Sequence, residues 1–132
     1  MTKIILFFFS LLFATTGWAA TFILNNQATH FLTEKKSRMT IQWATSAKDA
    51  EENNQLILQG KKINPKSLQR LTQTGKIILT IPKKAQYFRI LVWSKDREPD
   101  LLTNWVDIVP NKTYSLTADY LIPRVLMTGM GC

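Results

Sequence analysis

The sequence predicts a small, single-domain, all-β protein: an antiparallel β-sandwich with one short helical turn, of which the immunoglobulin-like arrangement is one form. Three observations lead there. Strand-like runs recur about every ten residues with turn-forming residues between them, the spacing of a sandwich or barrel. Met39, Ile41 and Trp43 alternate with Thr40, Gln42 and Ala44, a period of two that buries one face of a strand. The spacing Ile108-x-Pro110-x-x-x-Tyr114 can return a tyrosine hydroxyl to a strand-to-strand corner, which favours a sandwich over a barrel.

The chain opens on an export signal. Lys3 precedes an apolar run over residues 4–13 that only Ser10 interrupts, and Thr15, Thr16 and Gly17 end it. A spanning helix needs roughly 20 apolar residues, so the run is too short to anchor the protein. Gly17 and Ala19 flank Trp18 in the small-x-small pattern that precedes a cleavage site, so residues 1–19 are expected to leave. No cysteine follows that site to carry a lipid. The expected organisation is therefore a signal peptide at 1–19, a sandwich domain at 20–127 and a flexible tail at 128–132, with no transmembrane anchor in the mature chain and a periplasmic or secreted location.

Removing 19 of 132 residues leaves 113, enough for one hydrophobic core. Lys3 leaves with the leader, which lowers the formal charge from +8 to +7 and still favours anionic neighbours. A single cysteine, Cys132, cannot close an internal disulfide, and in an oxidising compartment it is a candidate for an intermolecular bridge. One histidine and one cysteine cannot assemble a zinc site within the chain, so no metal or other cofactor is expected.

Residues 39–44 form the clearest strand; further strands are expected over 21–25, 55–59, 76–81, 87–93, 104–109 and 113–120. Between Gly60 and Gly75 the pattern changes. Asn64-Pro65 marks a helix start, and Leu68 and Leu71 stand three apart, so one helical turn is expected there. The carboxylates Asp49, Glu51 and Glu52 fall in an expected loop, as do Asp96, Glu98 and Asp100. The second group alternates like a calcium loop but lacks its glycine turn.

Catalytic patterns are missing. His30 has no Gly-x-Ser-x-Gly partner, and the five glycines form no phosphate loop. The protein is expected not to be an enzyme. Two features suggest binding instead. Tyr87, Arg89, Leu91 and Trp93 share the face of a strand opposite Phe88, Ile90 and Val92, and a hairpin partner would add Trp105 and Asp107 to the same side. Such an apolar patch, with Arg89 and Asp107 as a candidate pair, needs a cover. Either residues 121–127 of the same chain or a partner would supply it, which makes Tyr87, Arg89, Trp93 and Trp105 the candidate interaction surface. The basic residues Lys61, Lys62, Lys66 and Arg70 are the candidate anion contact. The expected function is an exported structural or protein-interaction subunit of the bacterial cell envelope, in a secretion or surface assembly, with an envelope protein as partner. The alternative is a module binding an anionic glycan or lipid head group; nucleic acid is not an expected partner.

Overall fold

The computed structural model of the protein describes residues 19–28, 37–94 and 98–126. Residues 1–18 of the expected signal peptide at 1–19, together with His30, Lys35, Lys36, Asp96 and Cys132, lie outside the described residues. In chain order the elements are β1 (Thr21–Asn26), β2 (Arg38–Ala44), α1 (Ala47–Leu58), β3 (Leu68–Leu71), β4 (Gly75–Thr80), β5 (Tyr87–Trp93), β6 (Leu101–Leu102), β7 (Val106–Asp107), β8 (Thr113–Leu116) and β9 (Ile122–Pro123). The protein is mostly β, with these nine strands in two sheets and one α-helix among the described residues.

The first sheet has the order β4-β1-β8, with β4 antiparallel and β8 parallel to β1. The second is built on β2 and β5, antiparallel along seven pairs from Arg38 opposite Trp93 to Ala44 opposite Tyr87. β3 extends it on one side; β6 and β7 pair with β5 on the other, and β9 pairs with β6. Alternation then sets what each strand buries. Phe22 and Leu24 of β1, Leu79 of β4 and Leu116 of β8 meet Met39, Ile41, Trp43, Phe88, Ile90 and Val92 of the second sheet in one core. Four aromatic rings bind the sheets together. Phe22 stacks on Phe88 with centroids 4.9 Å apart, and Tyr114 sets its edge against both at 5.2 and 5.1 Å. Trp43 meets Phe22 edge-on at 6.0 Å, a geometry that aromatic quadrupoles favour.

The tyrosine corner forms where its spacing places it. Tyr114 donates its hydroxyl hydrogen to the Asp107 carbonyl at 2.6 Å and accepts the Val109 N–H at 2.8 Å. Asn111, in the turn between, takes φ 67, a left-handed conformation that asparagine tolerates.

Several expected elements are different. Residues 55–59, expected as a strand, are the last turns and C-cap of α1, and Asp49, Glu51 and Glu52 lie on that helix, not in a loop. Ser46 caps its start by accepting the Asp49 N–H at 3.0 Å, while Asp49 Oδ2 accepts the Thr45 N–H at 2.9 Å. Its end is a Schellman motif: Lys61 N–H reaches the Leu56 carbonyl and Gly60 N–H the Ile57 carbonyl, with Gly60 at φ +67. The helical turn expected between Gly60 and Gly75 shrinks to three residues, Pro65–Ser67, capped by Asn64. Leu68 and Leu71 then belong to β3, where odd spacing sends Leu71 into the core and Leu68 to the opposite face. The strand expected at 113–120 stops at Leu116 and passes into a single turn, Ala118–Tyr120.

β2 buries both faces, whereas its alternation indicated one. Thr40 accepts the indole N–H of Trp93 at 2.9 Å beneath the helix. Trp43→Ala is expected to lower the unfolding free energy by about 3–5 kcal/mol. Thr40→Val, which orphans that indole, should cost about 1–3 kcal/mol in urea denaturation, not the near-zero value of an exposed strand position. A neutral Thr40→Val would contradict the burial of this face.

Candidate interaction site

The outer face of β5 carries Tyr87, Arg89, Leu91 and Trp93, as alternation requires, and α1 lies across it. Leu91 and Trp93 pack with Ile57 of the helix, Ile63 after it and Leu102 of β6; among the described residues of the C-terminal segment Ile122 joins, at the margin. Arg89 is 1 % exposed and Trp93 3 %, while Tyr87 and Trp105 are half-buried. The cover is therefore a helix formed by residues 47–58.

That helix meets the sheet through polar groups. Its buried positions are Ala50, Asn53, Asn54 and Ile57, one face at helical spacing with asparagine in two of four places. Arg89 Nε donates to Gln42 Oε1 at 2.8 Å and Nη1 to Asn54 Oδ1 at 2.7 Å. The same Asn54 oxygen accepts the Trp105 indole N–H at 3.1 Å, and the Arg89 guanidinium stands 4.2 Å from the centroid of the Trp105 ring. Burying a cation costs several kcal/mol, and charge-assisted hydrogen bonds plus an aromatic face are the groups that offset it. Arg89 and Trp105 thus meet as the face assignment requires, but Asp107 does not join them: its register position is opposite Tyr87 and its side chain is exposed.

Trp105 reaches Arg89 because of a bulge. Leu102 pairs with Leu91 and Val106 with Phe88, so four steps on one strand oppose three on the other. The extra residue bends the strand at 103–105 and separates β6 from β7. Thr103 holds the bend: its hydroxyl accepts the Ile90 N–H at 3.0 Å and donates to the Asn104 carbonyl at 3.0 Å.

Behind the bulge, on the inner side of the sheet, a groove of about 460 Å³ opens between the two sheets. Leu24, Phe88, Ile90 and Leu116 are its apolar floor, Thr103, Asn104 and Val106 one wall, β8 the other, and Tyr120, 57 % exposed, stands at the mouth. β8 is the last strand of its sheet. The carbonyls of Lys112 and Leu116 bond to β1, so by alternation the main-chain groups of Thr113 and Ser115 face the open side. This groove has no signature in the sequence, since it follows from the bulge and from where β8 ends.

The expected anion contacts sit elsewhere. Lys61, Lys62 and Lys66 are exposed in the segment from α1 to β3, and Arg70 is exposed on β3 opposite Thr40. Of the acidic pair next to the described part of the 94–103 loop, Glu98 forms an ion pair with Arg124 at 2.7 Å and Asp100 accepts the Ser94 N–H at 2.8 Å. Among the described residues no group of three or more His, Cys, Asp or Glu side chains is placed to hold a metal ion, and no helix is long and apolar enough to cross a membrane. Comparison of the chain with protein-family models, curated proteins and solved structures finds no match.

Asn54→Leu removes the acceptor shared by Arg89 and Trp105 and is expected to cost about 3 kcal/mol or more of stability. Gln55→Leu, one position round the same helix and exposed, should stay within about 0.5 kcal/mol. Equal melting temperatures for the two variants would show that the network does not hold the helix.

Proposed function

We propose that this protein is an exported, non-enzymatic interaction subunit of the bacterial cell envelope, periplasmic or secreted, which binds an extended segment of a partner protein in the groove beside β8. The groove carries the proposal. It reaches core side chains, its floor is apolar, its walls offer neutral polar groups, and one wall is a strand edge with main-chain groups turned toward the opening. An added strand would take its hydrogen bonds from that edge and place alternate side chains on the floor. The Tyr114 corner supports an immunoglobulin-like reading of the sandwich. The leader pattern of residues 1–19 supports export.

The candidate surface of Tyr87, Arg89, Trp93 and Trp105 enters this function indirectly. Its burial under α1 fixes the bulge, and the bulge shapes the groove wall. The basic residues Lys61, Lys62, Lys66 and Arg70 favour a second contact, with an anionic surface, on another part of the molecule.

Affinity purification of the tagged protein from envelope extract tests the groove. The wild type is expected to retain a protein partner at stoichiometric yield. Ser115→Pro, which removes a main-chain donor from the open edge, and Tyr120→Ala at the mouth should each lower that yield at least about tenfold with little change in melting, since neither side chain is in the core. A partner retained undiminished by both variants, or no stoichiometric partner at all, would contradict the proposal. N-terminal sequencing of the recovered protein should begin at Ala20; an intact Met1 would contradict export by cleavage.

A further inference from the structure

Charge is segregated along this chain and across its fold. Between Glu52 and Asp96 there is no acidic residue, while lysine and arginine recur throughout. The topology gathers much of that stretch on one flank. β3 ends the second sheet and β4 ends the first, and residues 72–74 cross from one to the other. Three residues span about 10 Å, the usual separation of packed sheets, so the two edge strands lie on the same side of the sandwich. Arg70 is exposed on β3 and, by alternation with core-facing Leu71, turns to the α1 side. Lys76 is exposed at the start of β4 and turns to the outer face of the other sheet, so the two flank the edge. Lys61, Lys62 and Lys66 are exposed on the segment leading into β3. Leu58, in the last turn of α1 and 45 % exposed, is an apolar side chain three and four positions before Lys61 and Lys62 in the chain. Of the exposed acids, Asp107 and Asp119 belong to the opposite flank, with β7 and the turn after β8, Asp100 precedes β6, and Glu52 lies on α1. Glu98, whose carboxylate would lie 3.6 Å from a Cβ on Gly60, is already paired with Arg124.

We propose that this flank, formed by residues 60–67, β3 and the start of β4, docks on an anionic phospholipid bilayer. A planar array of phosphates matches an edge that carries cations on successive elements and whose nearby carboxylate, Glu98, is neutralised by Arg124, and each such cation near the surface strengthens attachment about fivefold. Leu58 gives the edge one apolar contact with the interface, as interfacial segments commonly have. The proposal does not rest on the groove beside β8, which opens on the other flank.

Cosedimentation with vesicles of phosphatidylcholine, with and without phosphatidylglycerol, provides the test. The protein should bind the phosphatidylglycerol vesicles at low salt, leave the others in suspension, and dissociate at about 0.5 M salt, where charges more than a few ångströms apart are screened. K61Q/K62Q should lower the partition coefficient about thirtyfold, while K83Q/K84Q, of identical net charge but on the β4–β5 turn, should lower it by less than about threefold. Tyr120→Ala should leave it unchanged even if it abolishes partner capture. All these positions are exposed, so the variants are expected to fold. Equal losses in the two lysine pairs would show that total charge, not this flank, is responsible, and would overturn the proposal. So would equal binding to both kinds of vesicle, or retention on an acidic polysaccharide with no affinity for phosphatidylglycerol.

Discussion

The placement of Arg89 beneath α1 is the constraint on which the rest of the structure depends. A guanidinium in the middle of a sheet, almost wholly withdrawn from water, requires acceptors at fixed positions, and three elements supply its surroundings: Gln42 from β2, Asn54 from α1 and the Trp105 ring from the bulged strand. Each is held in turn by that demand. The helix gains a defined seat that two alanine- and isoleucine-sized apolar contacts would not give it alone, and the strand after Leu102 takes an extra residue so that Trp105 can reach the cation. Such a buried polar cluster selects one arrangement over its competitors, because any other docking of the helix would leave a charge in an apolar environment.

From that seat the division of the molecule follows. The core between the sheets is apolar and aromatic, the outer face of the second sheet is closed by α1 and Ile63, and the first sheet has no helix among the described residues. The bulge that serves Arg89 on the outer side displaces the strand on the inner side, where the groove opens toward β8. Charge adds a second asymmetry, since Arg70 and Lys76 lie on the β3–β4 flank while Asp107 and Asp119 lie on the flank of the groove. The groove and the cationic edge therefore lie on different flanks of the molecule, so the two proposed contacts do not compete for one surface.

What could be read from the residues was whatever depended on local alternation. β2 and β5, the inward Val106 with outward Trp105, and the Tyr114 corner all follow from period two or from a fixed spacing. The helix did not show itself, because its buried face is Ala50, Asn53, Asn54 and Ile57, and asparagine is invisible to a hydrophobic period. Its termini were legible all the same: Ser46-x-x-Asp49 is a capping pattern and Gly60 a C-terminal stop. Leu68 and Leu71 misled in the opposite direction, since a separation of three fits one helix face as well as two faces of a strand. The partners of Arg89 come from residues 35 and 47 positions away in the chain, and no local pattern encodes them.

Native-state hydrogen exchange tests most directly whether α1 is locked to the sheet by Arg89. The amides of Asn54 and Ile57 are predicted to open with the same free energy as those of Met39, Ile41 and Ile90, because helix and sheet unfold as one cooperative unit. Arg89→Met should lower the protection of the helix together with that of the amides around Trp105. Helix amides that already exchange in the wild type several kcal/mol below the strands would contradict the account, for α1 would then be a loose cover and the face of Tyr87, Arg89, Trp93 and Trp105 would be open to other partners.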